Sequence, residues 1–430
     1  MIFFLVLMFI LLLFISYYTT GKDFFSPACI MLIAFIFSGI STILSPFSDK
    51  VELCIESCLI LLLGMLIIII VNGTVHRYYL FSYPKAKLLN RDDVPLSLVA
   101  NITLLAIVLI NIYFQIQFVC QVVGSDNIFN QMYEYRMKTS YGNGEYVMPW
   151  YLSQLDHLTL ATVYLCSFNF IFFWEKLEKS RKSLTFITII AWCIKILLNA
   201  SRFEILSLLI GIVFIFYMKL VRKKGGYGIL GAKSIIQLML IALISLSFFY
   251  FIAELAGRKM DATFVEYITS YSGTQIPNFD LFIREQLFVQ SDFPGETLYS
   301  LLQWLRRYGL TQIPIISIHK EFRTVDFYDL GNTYTAFRDY YHDFGLFGVI
   351  AFHSAFSFFT SILYEKGKKK MSNWSVLFQS MIYGCIPLYM FNNLFFGLYI
   401  SPTFIISILE LYIMYFTFVN RKWQKALRKL

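Results

Sequence analysis

Apolar runs of membrane-spanning length follow one another from Met1 almost to the end of the chain, and they exclude a soluble fold. They cover residues 1–18, 28–45, 53–72, 95–119, 151–173, 184–200, 203–220, 234–255, 344–364, 374–393 and 400–419. A soluble protein of 430 residues has too little interior to hide them, since 58% of the residues are hydrophobic and only 15% charged. Lipid offers the backbone no hydrogen-bond partner, so segments of about 20 apolar residues cross as helices. The expected fold is therefore an all-α polytopic integral membrane protein with about eleven transmembrane helices, a single membrane domain over 1–430. Aromatic residues, 19% of the chain, gather at the ends of the runs as interfacial belts require. The first run lacks a basic leader and a small-x-small cleavage site, so it is read as a span. The seven cysteines lie in or beside apolar runs, and no His/Cys pair near Cys54 and Cys58 completes a metal set. Neither a metal nor a cofactor is expected.

Basic residues set the sidedness. Lys and Arg cluster at Arg77 to Arg91, Lys176 to Lys182, Lys219 to Lys233, Lys366 to Lys370 and Arg421 to Lys429. Eleven spans with the N-terminus outside and the C-terminus cytoplasmic put all five clusters inside. Under that arrangement the inner surface holds 17 Lys and 6 Arg, and the outer surface 4 Lys and 8 Arg, with Lys195 inside a span. The outer arginines are Arg136, Arg202, Arg258, Arg284, Arg306, Arg307, Arg323 and Arg338. A guanidinium fork grips phosphate oxygens in pairs, so this bias suits a phosphate-bearing ligand. It also follows, without any ligand, from lysine enrichment on the cytoplasmic side.

Two outer segments are long enough to carry function: a first outer loop over 121–150 and a large outer loop over 256–343. Within the second, Leu298, Leu301, Leu302 and Leu305 recur at helical spacing, predicting an amphipathic helix from Glu296 to Tyr308. Its apolar stripe belongs on the membrane, on the outer ends of the spans, or in a small core of the loop itself. Charges inside the runs need partners. Lys195, Glu56 and Glu410 are read as structurally paired, and His353 as a hydrogen-bonded core residue. Asp156 and His157 form a reserve acid–base pair, and Arg91-Asp92-Asp93 is read as a helix cap.

The most informative stretch is Gly331-Asn-Thr-Tyr-Thr-Ala-Phe-Arg-Asp-Tyr-Tyr-His-Asp-Phe-Gly-Leu-Phe-Gly348. As one helix running into the ninth span, it would pair Arg338 with His342 and Asp339 with Asp343, each four apart. Gly345 and Gly348 would allow close helix approach. The stretch resembles the oligosaccharide repeat unit polymerases, the Wzy-type O-antigen polymerase family, in Asn332 to Thr335 and in Asp343 to Gly348. Ser201-Arg202 in a short outer turn, Arg136 in the first outer loop, and Gly257-Arg258 with Tyr271-Ser-Gly-Thr and Phe279-Asp280 resemble it too.

The resemblance implies a metal-independent glycosyltransferase of the bacterial cytoplasmic membrane. It would join undecaprenyl-pyrophosphate-linked repeat units at the outer face into O-antigen, capsule or exopolysaccharide. Its implied partners are the lipid-linked glycan donor and acceptor, membrane lipid, a chain-length regulator and a flippase, with no nucleic acid. Such a reaction needs cations for the pyrophosphate and a base for the acceptor hydroxyl. Arg202, Arg136, Arg258 and Arg338 are the candidates for the first task, and Asp343, His342 and Asp339 for the second. An outer-face glycan ligase sharing the donor, and a lipid-oligosaccharide flippase or transporter, are the alternatives. The latter class commonly shows paired halves, which this chain lacks.

The charge pattern makes a direct prediction. Reporters fused after Lys182, Lys224 and Lys370 will report the cytoplasm, and fusions near Gly142 and Gly309 the outside. An outside signal after Lys224 would reverse the orientation.

Overall fold

The computed structural model describes residues 1–83, 93–124, 131–141, 146–199, 201–225, 263–285, 295–312, 320–369 and 372–420, with isolated helical positions between 237 and 251. The chain is nearly all-α. Seven helices are long and apolar enough to cross a membrane: α1 (Ile2–Thr19), α2 (Pro27–Leu44), α3 (Ile55–Ser82), α4 (Leu98–Val123), α6 (Trp150–Phe172), α8 (Phe203–Lys223) and α12 (Phe337–Lys369). This is the architecture of a multi-pass membrane protein. A short helix, α5 (Met132–Arg136), follows α4, and α7 (Lys179–Leu198) carries the run expected over 184–200. The run at 234–255 lies largely outside the described residues. The run at 374–393 divides into α13 (Asn373–Ile382) and two 3₁₀ turns, and α14 (Pro402–Phe418) closes the described fold.

The segment between α8 and α12 folds into α9 (Phe264–Gly273), α10 (Gln275–Arg284), α11 (Tyr299–Arg307) and an antiparallel pair, β1 (Arg323–Val325) and β2 (Tyr328–Gly331). The amphipathic helix expected over 296–308 is α11. Its leucines are half-buried, and it packs against the helical turn Phe395–Tyr399, so its stripe covers the end of the bundle.

Polar contacts between helices fix their directions. His353 Nε2 meets the Gly64 carbonyl at 2.9 Å, Asn72 Nδ2 donates to Ser361 Oγ at 3.1 Å, and His76 Nδ1 lies 2.8 Å from Glu365. Each pair is separated by 289 residues, so α3 and α12 run parallel in one register. His353 also bonds Tyr389 Oη at 2.7 Å and is wholly buried, as a core histidine should be. At the far end of this pair Asp23, in the α1–α2 loop, accepts from Tyr217 Oη (2.5 Å), Tyr364 Oη (2.7 Å) and Lys368 Nζ (2.6 Å). Burial alone would raise this carboxyl, but the Lys368 ammonium and these hydrogen bonds outweigh it and hold it below its ordinary value. Nearby, Arg222 reaches the Ser372 carbonyl at 2.7 Å and Lys223 pairs with Glu175 at 3.3 Å. Arg77 follows His76 directly, and Lys366 to Lys369 flank the Glu365 contact. The described members of the basic clusters thus share one end of the bundle. Residue 93 of the expected Arg91-Asp92-Asp93 cap does other work: it accepts from Asn373 Nδ2 (2.7 Å) and Tyr415 Oη (2.5 Å). The cap of α4 is Ser97; residues 91 and 92 lie outside the described residues.

At the opposite end α12 departs from the expected straight entry into the membrane. Gly345 adopts φ 60° and ψ −149°, a left-handed conformation open to glycine. The arm Phe337 to Phe344 folds back there along the span that follows. Tyr340 stacks on Phe352, and Phe337 lies 5.0 Å, ring to ring, from His353. His353 is eight residues past the turn, which places Phe337 about 12 Å down the bundle. Gly348 makes the return possible, because a Cβ there would lie 2.3 Å from the Tyr340 carbonyl oxygen and 2.7 Å from Phe344 Cβ. The glycine pair therefore builds a helical hairpin within its own segment.

Gly348→Ala is expected to cost about 1–3 kcal/mol by overpacking, read as a lower thermal midpoint of the detergent-purified protein. Gly73→Ala, whose added Cβ would meet Thr19 at an ordinary 3.5 Å, serves as the tolerated control. An unchanged midpoint for Gly348→Ala would show that the hairpin is wrong.

Candidate functional site

Elements far apart in sequence converge on this hairpin. Gln275 Nε2 donates to Thr333 Oγ1 at 3.1 Å, and Thr274 and Thr333 hydroxyls lie 3.3 Å apart. Asn278 Nδ2 bonds the Thr333 carbonyl at 2.9 Å and the Leu330 carbonyl at 3.1 Å. The Ala336 N–H donates to the Tyr389 carbonyl at 2.9 Å. Asp280 accepts from the Cys54 N–H (2.7 Å) and the Ser57 hydroxyl at the start of α3 and pairs with Arg284 (2.7 Å). Thr274, Gln275 and Asn278 are thus hydrogen-bonded to Thr333 in the element Asn332 to Thr335, while Asp280 fastens the same helix, α10, to the start of α3.

Beside these contacts sits a cluster of charges. The wholly buried Asp343 accepts from the backbone N–H groups of Thr297 (2.8 Å) and Glu296 (3.1 Å) and bonds His342 Nδ1 at 3.0 Å. It caps the turn before α11 and not the span that follows, because the chain reverses two residues later. His342 Nε2 lies 3.6 Å from Glu296, so a line of groups runs Asp343–His342–Glu296. The other Glu296 oxygen receives Arg338, which also reaches Glu321 at 2.9 Å and lies 3.7 Å from Asp339. Arg338 and His342 do not bond each other; Glu296 joins them. Asp339 and Asp343 likewise part company, Asp339 pairing with Lys320. Arg323 completes the cluster, pairing with Glu285 and with Glu321 at 3.1 Å and donating Nε to Tyr334 Oη at 2.7 Å.

A half-open pocket borders this cluster, lined by Glu296, Tyr299, Lys320, Asp339, Asn392, Asn393, Gly397 and Leu398. Around it three cations, Lys320, Arg323 and Arg338, and the His342 imidazole face five carboxylates, Glu285, Glu296, Glu321, Asp339 and Asp343, of which Glu296 and Asp339 line the pocket. The site is acidic. Partial burial raises the Glu321 carboxyl, but Arg338 and Arg323 outweigh burial and hold it below its ordinary value. Tyr334, raised by burial and by Glu321, stays a neutral phenol between the two guanidiniums. Such an arrangement accepts protons and binds hydroxyls, whereas an anion would meet repulsion.

The other candidates lie elsewhere. Arg202, at the start of α8, donates to Tyr267 Oη and lies 5.5 Å from the Tyr271 ring. Tyr271 in turn contacts Phe391, next to Asn392 and Asn393 at the pocket. Arg136 ends α5, which packs with Phe118, Val119 and Leu152 in a separate apolar cluster. Arg258 lies outside the described residues. Asp156 pairs with Lys195 at 2.6 Å and accepts from Asn111 at 2.9 Å, a structural use for both charges. His157 meets Ser407 at 3.1 Å. Glu56 accepts from Tyr341 at 3.0 Å, while Glu410 keeps one buried oxygen without a partner. Sequence reasoning missed Glu296, Lys320, Glu321, Asn392 and Asn393. The adjacent amides closing the run 374–393 were the one local signal; the rest are positioned only by the fold.

Comparison of the chain with family models, with curated proteins and with solved structures finds no match.

Replacing Asp343 separates its capping from its charge. Asp343→Ala strands two buried N–H groups, at about 1–3 kcal/mol each, and will loosen the turn 295–298. Limited proteolysis should then cut that turn faster, with Asp343→Asn close to wild type. Equal cleavage of wild type and Asp343→Ala would remove the tether.

Proposed function

We propose that this protein polymerises lipid-linked oligosaccharide repeat units at the outer face of a bacterial cytoplasmic membrane, through about eleven spans with the basic end cytoplasmic. The observation that carries the reading is the Asp343–His342–Glu296 line opening on a pocket at the end of the bundle opposite the basic clusters. The Wzy-like residues Asn332 to Thr335 lead directly into the arm that carries this line. In the proposed reaction the acceptor sugar hydroxyl attacks the anomeric carbon of the donor chain. A new C–O bond forms, the bond to the pyrophosphate breaks, and undecaprenyl pyrophosphate leaves with the electron pair. The hydroxyl proton passes to Glu296, and His342, oriented by Asp343, shares it. Asp339 lines the same pocket and serves the acceptor side. Asp343 is sealed by two N–H groups and His342, so it positions and does not itself meet the substrate. Arg338 and Lys320 are both occupied by carboxylates, so the leaving pyrophosphate is assigned to Arg202, which does not line the acidic pocket.

The test is the length profile of surface polysaccharide in a deletion strain complemented with variants. Deletion should remove long chains and retain single repeats. Glu296→Gln and His342→Gln should each lower polymer output about 10²-fold or more at normal protein levels, and Arg202→Lys should lower it less. Loss of all surface glycan on deletion would point to a ligase or flippase. Normal chain lengths from Glu296→Gln would overturn the assignment of the base.

A further inference from the structure

The charge balance at the pocket bears on which acceptor it takes. Four of its lining side chains, Glu296, Asp339, Asn392 and Asn393, are planar oxygen-bearing groups; the Asn393 oxygen already accepts from Tyr340 Oη and the Phe396 N–H, so the two carboxylates are the principal acceptors for sugar hydroxyls, and Tyr299 adds a ring. Arg338 is 3% exposed, and its Nε has no partner among the described residues, whereas its other nitrogens are bonded to carboxylates. Among the described residues of the cluster, the carboxylates outnumber the lysine and arginine side chains. A carboxylate or phosphate on a sugar placed here would face like charge at low dielectric, where such placement is strongly disfavoured. Hydroxyl and ammonium groups face no such opposition.

Resting on the polymerase reading, we infer that the pocket takes the acceptor's non-reducing terminal sugar and that this sugar is neutral or amino-substituted, never a uronic acid or a phosphorylated sugar. The carboxylates serve selection as well as proton transfer. Glu321, which stands behind Arg338 and does not line the pocket, contributes to the selection through its charge alone.

The experiment uses the full chain in lipid nanodiscs with undecaprenyl-pyrophosphate units ending in a hexose, a hexosamine or a hexuronic acid. Two quantities are measured: affinity for each unit without donor, and transfer with donor present. Hexose- and hexosamine-ended units should bind at least tenfold more tightly than the hexuronate-ended unit, and transfer should follow the same order. Glu321→Gln should narrow the difference severalfold. Equal or tighter binding of the hexuronate unit overturns the inference whatever the turnover. The expected binding order with no transfer to any acceptor would support the selection and overturn the polymerase reading instead.

Discussion

The parallel pairing of α3 with α12 is the constraint from which the rest of the structure hangs. Three of its rungs are polar groups buried in an apolar bundle, where an unpaired group costs more than it would in water, and the fourth, at the exposed Glu56, closes its end. Glu56, Gly64, Asn72 and His76 on one helix meet Tyr341, His353, Ser361 and Glu365 on the other. The spacing is 289 residues at three rungs and 285 at Glu56–Tyr341, a change of one helical turn across Gly345. Because Tyr341 belongs to the returning arm, the ladder also fixes the hairpin, and the hairpin delivers Arg338, Asp339, His342 and Asp343 into the mouth of the bundle.

The cluster there is a network in which each charge is committed to another. Arg338 holds three carboxylates together, and removing it would leave them buried beside one another, a larger penalty than the loss of any one pair. The large loop is thereby attached to the bundle at two kinds of point. Hydrogen bonds from Thr42 to the Gly273 carbonyl, between Ser41 and Ser272, and from the Cys54 N–H to Asp280 tie it to α2 and α3, and ion pairs through Lys320, Glu296 and Arg338 tie it to the arm of α12. Function, on the proposed reading, uses the second set.

Much of this was legible from the residues because lipid enforces simple rules. The seven membrane-long helices follow from uninterrupted apolar length, and α11 from the spacing of its leucines. The shared end of the basic clusters follows from charge alone. The hairpin was not legible. Phe337 to Phe344 has the composition of a helix that continues, and nothing local distinguishes a glycine inside a helix from one at a left-handed turn. For the same reason nothing near Asp343 in sequence shows that it caps a turn nearly fifty residues earlier. Glu296, Lys320 and Glu321 carry no motif; their importance comes from contacts across more than fifteen residues. The arginines Arg338 and Arg202 illustrate the same limit, since residue type announced a cation and only the fold showed what each one faces.

The return at Gly345 has a consequence for competing chemistry. A group-transfer site on the outer rim of a membrane protein would be flooded, and water would rival any sugar hydroxyl as acceptor. Here the arm carries Arg338 and Asp339 about two helical turns below the rim, each only 3% exposed. The pocket opens on Asp339, and a ring seated there would shield that carboxylate from water. Depth gained by folding the chain back on itself would therefore favour lengthening a polymer over hydrolysing its donor.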